Sequence, residues 1–114
     1  MKRLDGKMGS EFAGAPRIVV AARENERGEK FYERRMVYED WGALAGVLTG
    51  KRVALLGHVR RHKVASIRAL AKALGRDYRN VHGDVKALAG AGLLEVTAEG
   101  VRAEYDAIEG RMGI

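Results

Sequence analysis

The sequence contains no cysteine, one proline and few aromatic residues (6%). The lack of cysteine excludes disulfide bonds, thiolate metal sites and cysteine nucleophiles. Two serines and two threonines are the only side-chain alcohols besides tyrosine, and none lies in a nucleophile-elbow pattern, so we expect no enzyme. No apolar run approaches the roughly 18 residues that cross a bilayer. With no secretory signal at the N-terminus, we expect a cytoplasmic protein without membrane contact.

The charge that is present is strongly segregated. The net charge of the 114 residues is +6, but residues 51–90 hold ten basic and two acidic side chains, whereas residues 91–114 hold two basic and five acidic ones. All three histidines, His58, His62 and His82, lie in the basic block. A solvated helix face would explain such a block, but so would a surface that binds the phosphates of a nucleic acid.

Two of these histidines lie four residues apart, a spacing that could bind a metal across one helical turn. No third ligand is evident beside His58 and His62. We therefore expect two ordinary histidines on a basic face, and neither a metal site nor a cofactor.

The first half of the chain predicts a short extension. Residues 9–12 (GSEF) resemble a cloning scar, so residues 1–15 are interpreted as a disordered or cloning-derived tail. Residues 16–48 form an N-terminal strand and helix extension: residues 18–21 predict a strand, and residues 31–38 fit a strand or a helix. A short helix follows, whose apolar face carries Trp41, Leu44 and Leu48 and is more often core than interface. The alternative is that this helix and the strand at residues 18–21 form a dimer or bind a partner.

The second half, residues 49–114, predicts three further helices and a β-hairpin. In the first, Val53, Leu56 and Val59 are expected to face the core; residues 63–65 form a connection. Ser66 caps the next helix and Gly75 ends it. Asp77 caps a helix over residues 77–90 with Val81, Val85 and Leu88 inward, and residues 93–96 and 101–105 form the hairpin.

The run SIRALAKALGRDYRNVHGDVKALAGAGLL (residues 66–94) resembles the winged helix-turn-helix of bacterial and archaeal transcription regulators. Four motifs resemble a narrower group, the small predicted DNA-binding proteins of archaea and bacteria, some of which are antitoxins. These are YEDW (38–41), LTGKR (48–52), GRDYRNVH (75–82) and YDAIE (105–109). The resemblance implies an α+β winged helix-turn-helix, with a three-helix core and a hairpin wing, in a dimeric DNA-binding repressor.

The roles expected of individual residues follow from that architecture. The first two turns of the recognition helix read bases in the major groove, and we assign this role to Tyr78, Arg79, Asn80 and His82. Phosphate contacts are assigned to Ser66, Arg68, Arg76, Lys86, Lys63 and Arg102. The hairpin is otherwise acidic, which favours a structural or protein-facing role for the wing.

The expected partners are double-stranded DNA, a second copy of the chain and, in the antitoxin case, a toxin protein. The alternative from a different functional class is a protein–protein interaction module that keeps the winged fold, such as an antitoxin acting mainly by binding its toxin. The basic block around the recognition helix favours DNA.

Overall fold

The computed structural model describes residues 16–114, an α+β fold, and the predicted tail at residues 1–15 lies outside them. The fold begins with an antiparallel hairpin of β1 (Arg17–Glu24) and β2 (Lys30–Tyr38). The predicted strand at residues 18–21 is confirmed, and the open choice at residues 31–38 is settled as a strand. The Asn25 side chain accepts from two backbone N–H groups of the turn, and Gly28 has a φ of 81°.

Four helices follow, each preceded by a side chain that satisfies N–H groups of its first turn. The predicted caps Ser66 and Asp77 are confirmed, and Asp40 and Thr49 cap the other two helices. The helices are α1 (Trp41–Val47), α2 (Gly50–Arg61), α3 (Ile67–Leu74) and α4 (Tyr78–Gly90).

The predicted hairpin is present but shorter than expected. It consists of β3 (Glu95–Thr97) and β4 (Gly100–Arg102). Residues 93–94 and 103–105 do not extend it, because Leu93, Leu94, Ala103 and Tyr105 are drawn into the core. The chain then forms β5 (Ala107–Gly110), which pairs parallel with β2, so that one sheet has the order β1-β2-β5 and joins the segments 16–48 and 49–114.

Residues 63–65 are more than the connection that the sequence predicts. Val64 is buried and its carbonyl accepts from the Val101 N–H at 3.0 Å, which adds a β-bridge to the hairpin. A Cβ at Gly100, whose φ is +133°, would lie 2.0 Å from the Val64 oxygen. Glycine is therefore required where the hairpin meets this segment.

The hydrophobic core is shared by the helices and the strands, and Val81, Val85 and Leu88 face it as predicted. Two expectations about the core are wrong. Val53 is 52% exposed, because the buried stripe of α2 is centred on residues 55–59 and Val53 lies roughly a third of a turn away from it. Trp41 is 40% exposed, since its ring covers Gly110 from the outside, whereas Leu44 is buried.

Within the described part of the chain, no helix combines the length and the apolarity that a membrane span requires.

Candidate nucleic-acid interface

Helices α3 and α4 are joined by a corner of three residues, Gly75, Arg76 and Asp77. Gly75 adopts the left-handed conformation with a φ of 64°, and its N–H bonds back to the Lys72 carbonyl at 3.2 Å. The Arg76 N–H closes the same turn on Ala71 at 3.0 Å. This is a glycine-terminated helix end, and it reverses the chain within one turn.

The first turn of α4 is exposed. Oδ1 of Asp77 accepts from the N–H groups of Arg79 at 2.8 Å and Asn80 at 3.3 Å, so the helix starts at a fixed position. The side chains of Tyr78, Arg79 and Asn80 are exposed there. Guanidinium and amide groups are those that make paired hydrogen bonds with base edges.

Helix α3 contributes a cation to the same surface. The guanidinium carbon of Arg68 lies 4.4 Å from the centre of the Tyr78 ring, and the centre of the His82 ring lies 5.8 Å from that of Tyr78. Arginine over an aromatic ring is held by a cation–π interaction. Of the residues predicted to contact DNA, the structure therefore brings Arg68, Tyr78 and His82 into one cluster.

The outward face of α4 continues beyond this cluster. Arg79, Gly83 and Lys86 follow one another at helical spacing and are all exposed, opposite the buried valines of the same helix. A Cβ at Gly83 would meet no atom within 4 Å. Because Gly83 has no side chain, the helix backbone is accessible between the side chains of Arg79 and Lys86.

Behind that face, Asp84 binds two arginines. It accepts from Nε of Arg52 at 3.0 Å and from Nη2 of Arg76 at 2.7 Å. Burial opposes ionisation of Asp84, but the hydrogen bonds from the two guanidinium groups outweigh it and lower the pKa of Asp84. Arg52 also donates to the Val47 carbonyl at 2.9 Å, so this triad ties the end of α1, the start of α2 and the α3–α4 corner to α4.

The triad corrects the role expected of Arg76. Its side chain is only 20% exposed and its cation is engaged by Asp84, so it is directed into the fold and not presented as a phosphate ligand. Arg102 is exposed, but it forms an ion pair with Glu95 across the hairpin at 3.0 Å. Ser66 uses its hydroxyl to accept from the Ala69 N–H at 3.0 Å.

Within residues 51–90, several exposed cations remain free of ion pairs with other described residues. Sequence reasoning named Lys63, Arg68, Arg79 and Lys86 among them and missed the others. The Arg68–Lys72 spacing of four residues, which puts both side chains on one face of α3, was the signal for one of these. The unassigned cations are Lys51, Arg61 and Lys72.

The histidines of α2 stack on each other, with ring centres 4.2 Å apart, and Nδ1 of His62 lies 3.1 Å from the His58 carbonyl oxygen. Within residues 16–114 no group of three or more histidine, cysteine or acidic side chains is placed to hold a metal ion.

Comparisons with curated proteins and with solved structures give no match. A family model does match, over residues 47–110, which is more than half of the chain and spans all of α2, α3, α4 and β5. The protein therefore belongs to the HVO_A0114 family.

Proposed function

We propose that this protein is a sequence-specific DNA-binding transcriptional repressor with a winged helix-turn-helix fold. In this proposal α3 and α4 are the helix-turn-helix, α4 is the recognition helix in the major groove, and the β3–β4 hairpin is the wing. A role on DNA places the protein in the cytoplasm.

The observation that carries the proposal is the composition of the exposed end of α4. Tyr78, Arg79 and Asn80 project from a first turn whose amides are already capped, so these side chains are available for a partner. Arginine pairs with guanine O6 and N7, and asparagine with adenine N6 and N7. His82 and Tyr78 supply further polar atoms beside them.

Affinity comes from the cations that no carboxylate neutralises. Lys63, Arg68 and Lys86 are exposed and have no ion pair with another described residue. Phosphate contacts of this kind fix the register of the protein on the duplex without reading its sequence. The Ser66 hydroxyl and Arg102 are weaker candidates, because both already have intramolecular partners.

The hairpin favours a second role. Its exposed surface carries Glu95 and Glu99, and the exposed Glu104 follows β4 by two residues. All three carboxylates repel phosphate. In the antitoxin form of the proposal, this acidic wing or the β1–β2 hairpin binds a toxin while α4 represses the operon. The alternative function is a protein-binding module without DNA binding, which would use the same acidic surface. That function does not account for the unpaired cations of α3 and α4.

Selection of bound fragments from sheared genomic DNA at physiological salt tests the proposal. We expect enrichment of a short palindromic sequence, as two-fold symmetric repressors require. Binding to that sequence should weaken with salt at a log–log slope of about −0.9 per phosphate contact. Uniform recovery of all fragments would contradict sequence-specific binding, and no recovery would favour the protein-binding alternative.

A further inference from the structure

Strand β1 lies at the edge of its sheet. In the sheet order β1-β2-β5, strand β1 lies at one side, and within residues 16–114 no strand pairs with its outer edge. Its register with β2 runs without a bulge over all eight residues, from Arg17 opposite Val37 to Glu24 opposite Lys30. The edge is thus long and regular.

The backbone groups that face this edge can be identified from the other side of the sheet. The N–H of Arg34 donates to the Asp106 carboxylate at 2.9 Å, and its carbonyl accepts from the Asp106 N–H at 2.7 Å. Both groups of Arg34 therefore point away from Val20, its partner in β1. In an antiparallel ladder such pairs alternate with hydrogen-bonded ones, so Val20 directs its own N–H and carbonyl outward.

The same alternation applies along the whole strand. Ile18, Ala22 and Glu24 also present both backbone groups at the edge, as Val20 does. Ile18 is 43% and Val20 57% exposed. Charged residues and proline normally prevent an edge strand from pairing with another chain. Residues 18–22 (IVVAA) contain neither.

We propose that two copies of the chain pair antiparallel along β1 and form one continuous six-stranded sheet. Two-fold symmetry and the outward direction of alternate residues restrict the register, because only the residues at positions 18, 20, 22 and 24 can hydrogen-bond across the edge. The register centred on Val20 pairs Val20 with itself and Ile18 with Ala22 of the second copy. Centring on Ala21 would place Ile18 opposite Glu24.

Side chains on one face of the sheet agree with this register. Within one chain Ile18 is opposite Met36, and Ala22 is opposite Tyr32. Pairing Ile18 with the second Ala22 therefore forms a row of four apolar side chains across four strands, and symmetry repeats it. Tyr32, which is 76% exposed in the single chain, ends each row.

The charged ends of the strand are compatible with the same pairing. The register centred on Val20 places Arg17 opposite the second copy's Arg23. Arg17 binds Glu39 at 3.0 Å and Arg23 binds Glu33 at 3.0 Å within the chain. Glu33 also binds Arg35 at 2.7 Å, and Arg35 lies 3.6 Å from Glu109. Both arginines therefore belong to charge-balanced groups, and little repulsion results.

This interface does not depend on DNA binding, and it is tested without DNA. Because the chain has no cysteine, Val20→Cys introduces a single thiol on the two-fold axis. Residues that form a hydrogen-bonded antiparallel pair have Cα atoms about 5.5 Å apart, within the range that a disulfide spans. We expect rapid formation of a disulfide-linked dimer on mild oxidation.

Tyr32→Cys is the matched control. Its side chain is more exposed than that of Val20, but the two copies of residue 32 lie three strand spacings apart and four residues apart along the strands, a separation of roughly 20 Å. Random collision would link Tyr32→Cys at least as fast as Val20→Cys, and that result would overturn the proposal. Preferential linking of Val20→Cys supports it.

Val20→Pro supplies a second, independent measurement. The substitution removes only an N–H that faces outward, so it leaves the β1–β2 hydrogen bonds intact. We expect the unmodified chain to sediment as a dimer and Val20→Pro as a folded monomer with an unchanged circular dichroism spectrum. A monomeric unmodified chain, or a dimeric Val20→Pro, would overturn the proposal. Should the proline variant not fold, the cross-linking comparison still decides.

Discussion

Asp84 accepts a hydrogen bond from Nη2 of Arg76 at 2.7 Å, and this contact holds α4 against the corner that precedes it. Nη1 of the same guanidinium is buried with no hydrogen-bond partner among the described residues. The side chain of Arg76 therefore depends on Asp84 to compensate its charge. The orientation of the proposed recognition helix thus depends on the Arg76–Asp84 ion pair. The sequence alone does not indicate that these two residues are paired.

Asp84→Asn tests this dependence. Loss of the carboxylate leaves Arg52 and Arg76 without their shared anion, and we expect unfolding in urea at neutral pH to show a loss of about 1–3 kcal/mol. Glu95→Gln is the control, because its ion pair with Arg102 is solvent-exposed and pairs of that kind contribute at most about 1 kcal/mol. Equal effects of the two substitutions would contradict a special role for Asp84.

The same variant has a predicted pH dependence. The pKa of Asp84 is lowered in the folded state. The contribution of its carboxylate to the free energy of unfolding is therefore complete above the ordinary pKa of 3.8, and it is lost as the pH falls through the lower pKa of the folded state. The difference in unfolding free energy between the unmodified chain and Asp84→Asn should therefore shrink in acid. A difference that stays constant down to the acid limit of folding would show that ionisation of Asp84 does not stabilise the fold.

Substitutions on α4 separate base reading from phosphate binding. Arg79→Ala and Asn80→Ala should each weaken binding to the selected sequence by about 1–3 kcal/mol while leaving binding to unrelated DNA nearly unchanged. Lys86→Ala should weaken all sequences alike and reduce the salt slope by about one contact. Titrations on selected and scrambled duplexes measure both. Unchanged discrimination in Arg79→Ala and Asn80→Ala would refute α4 as the base-reading element.

Gly83→Ala should raise stability and lower DNA affinity together. The added Cβ meets no atom within 4 Å, and alanine is favoured over glycine inside a helix by about 0.5–1 kcal/mol. If the outward face of α4 lies against DNA, the same methyl group intrudes on that interface. Gly46→Ala, at an equally open position in α1, should raise stability without changing affinity.

Tyr38→Phe probes the core at alkaline pH. Tyr38 is fully buried and donates to the Ala91 carbonyl, so losing the hydroxyl should cost about 1–3 kcal/mol. Burial raises the pKa of Tyr38 from 10.0 to about 12. The contribution of the Tyr38 hydroxyl to the free energy of unfolding is complete below pH 10.0. It is lost as the pH rises toward the pKa of Tyr38 in the folded state, because Tyr38 ionises first in the unfolded chain. Denaturation across this interval should show the unmodified chain losing stability more steeply than Tyr38→Phe.

Gly110→Ala should destabilise the sheet. The new Cβ would lie 2.7 Å from Cε3 of Trp41 and 2.9 Å from Cδ2 of Leu44. Forcing a methyl group into such a site costs about 1–3 kcal/mol, and Trp41 fluorescence reports the displacement directly. Gly113→Ala meets no atom within 4 Å and should change neither quantity.

Features encoded locally could be predicted from the sequence. The caps Ser66 and Asp77 act on N–H groups two or three residues away, and the corner at Gly75 is set by its own backbone conformation. Helical periodicity likewise gave the buried face of α4. Such features involve near neighbours in the chain, so their residue types carry the information.

Features that depend on distant pairing could not be predicted. Nothing in the residues around Arg76 indicates that its side chain turns toward Asp84 and away from the surface. Val53 fits the apolar spacing of α2 yet lies outside the buried stripe, because the elements packed on that helix cover residues 55–59. The open edge of β1 also became visible only when the sheet order was known.

The parallel pairing of β5 with β2 has a consequence for biosynthesis. Met36 is opposite Ile108, so the strand that completes this sheet leaves the ribosome long after its partner has emerged. Until then, among the described strands, β2 has only β1 beside it, and its other edge is unpaired. Segments with such an edge fold slowly and can associate prematurely with other chains. The free edge of β2 is covered only when β5 pairs with it and Trp41 packs over Gly110.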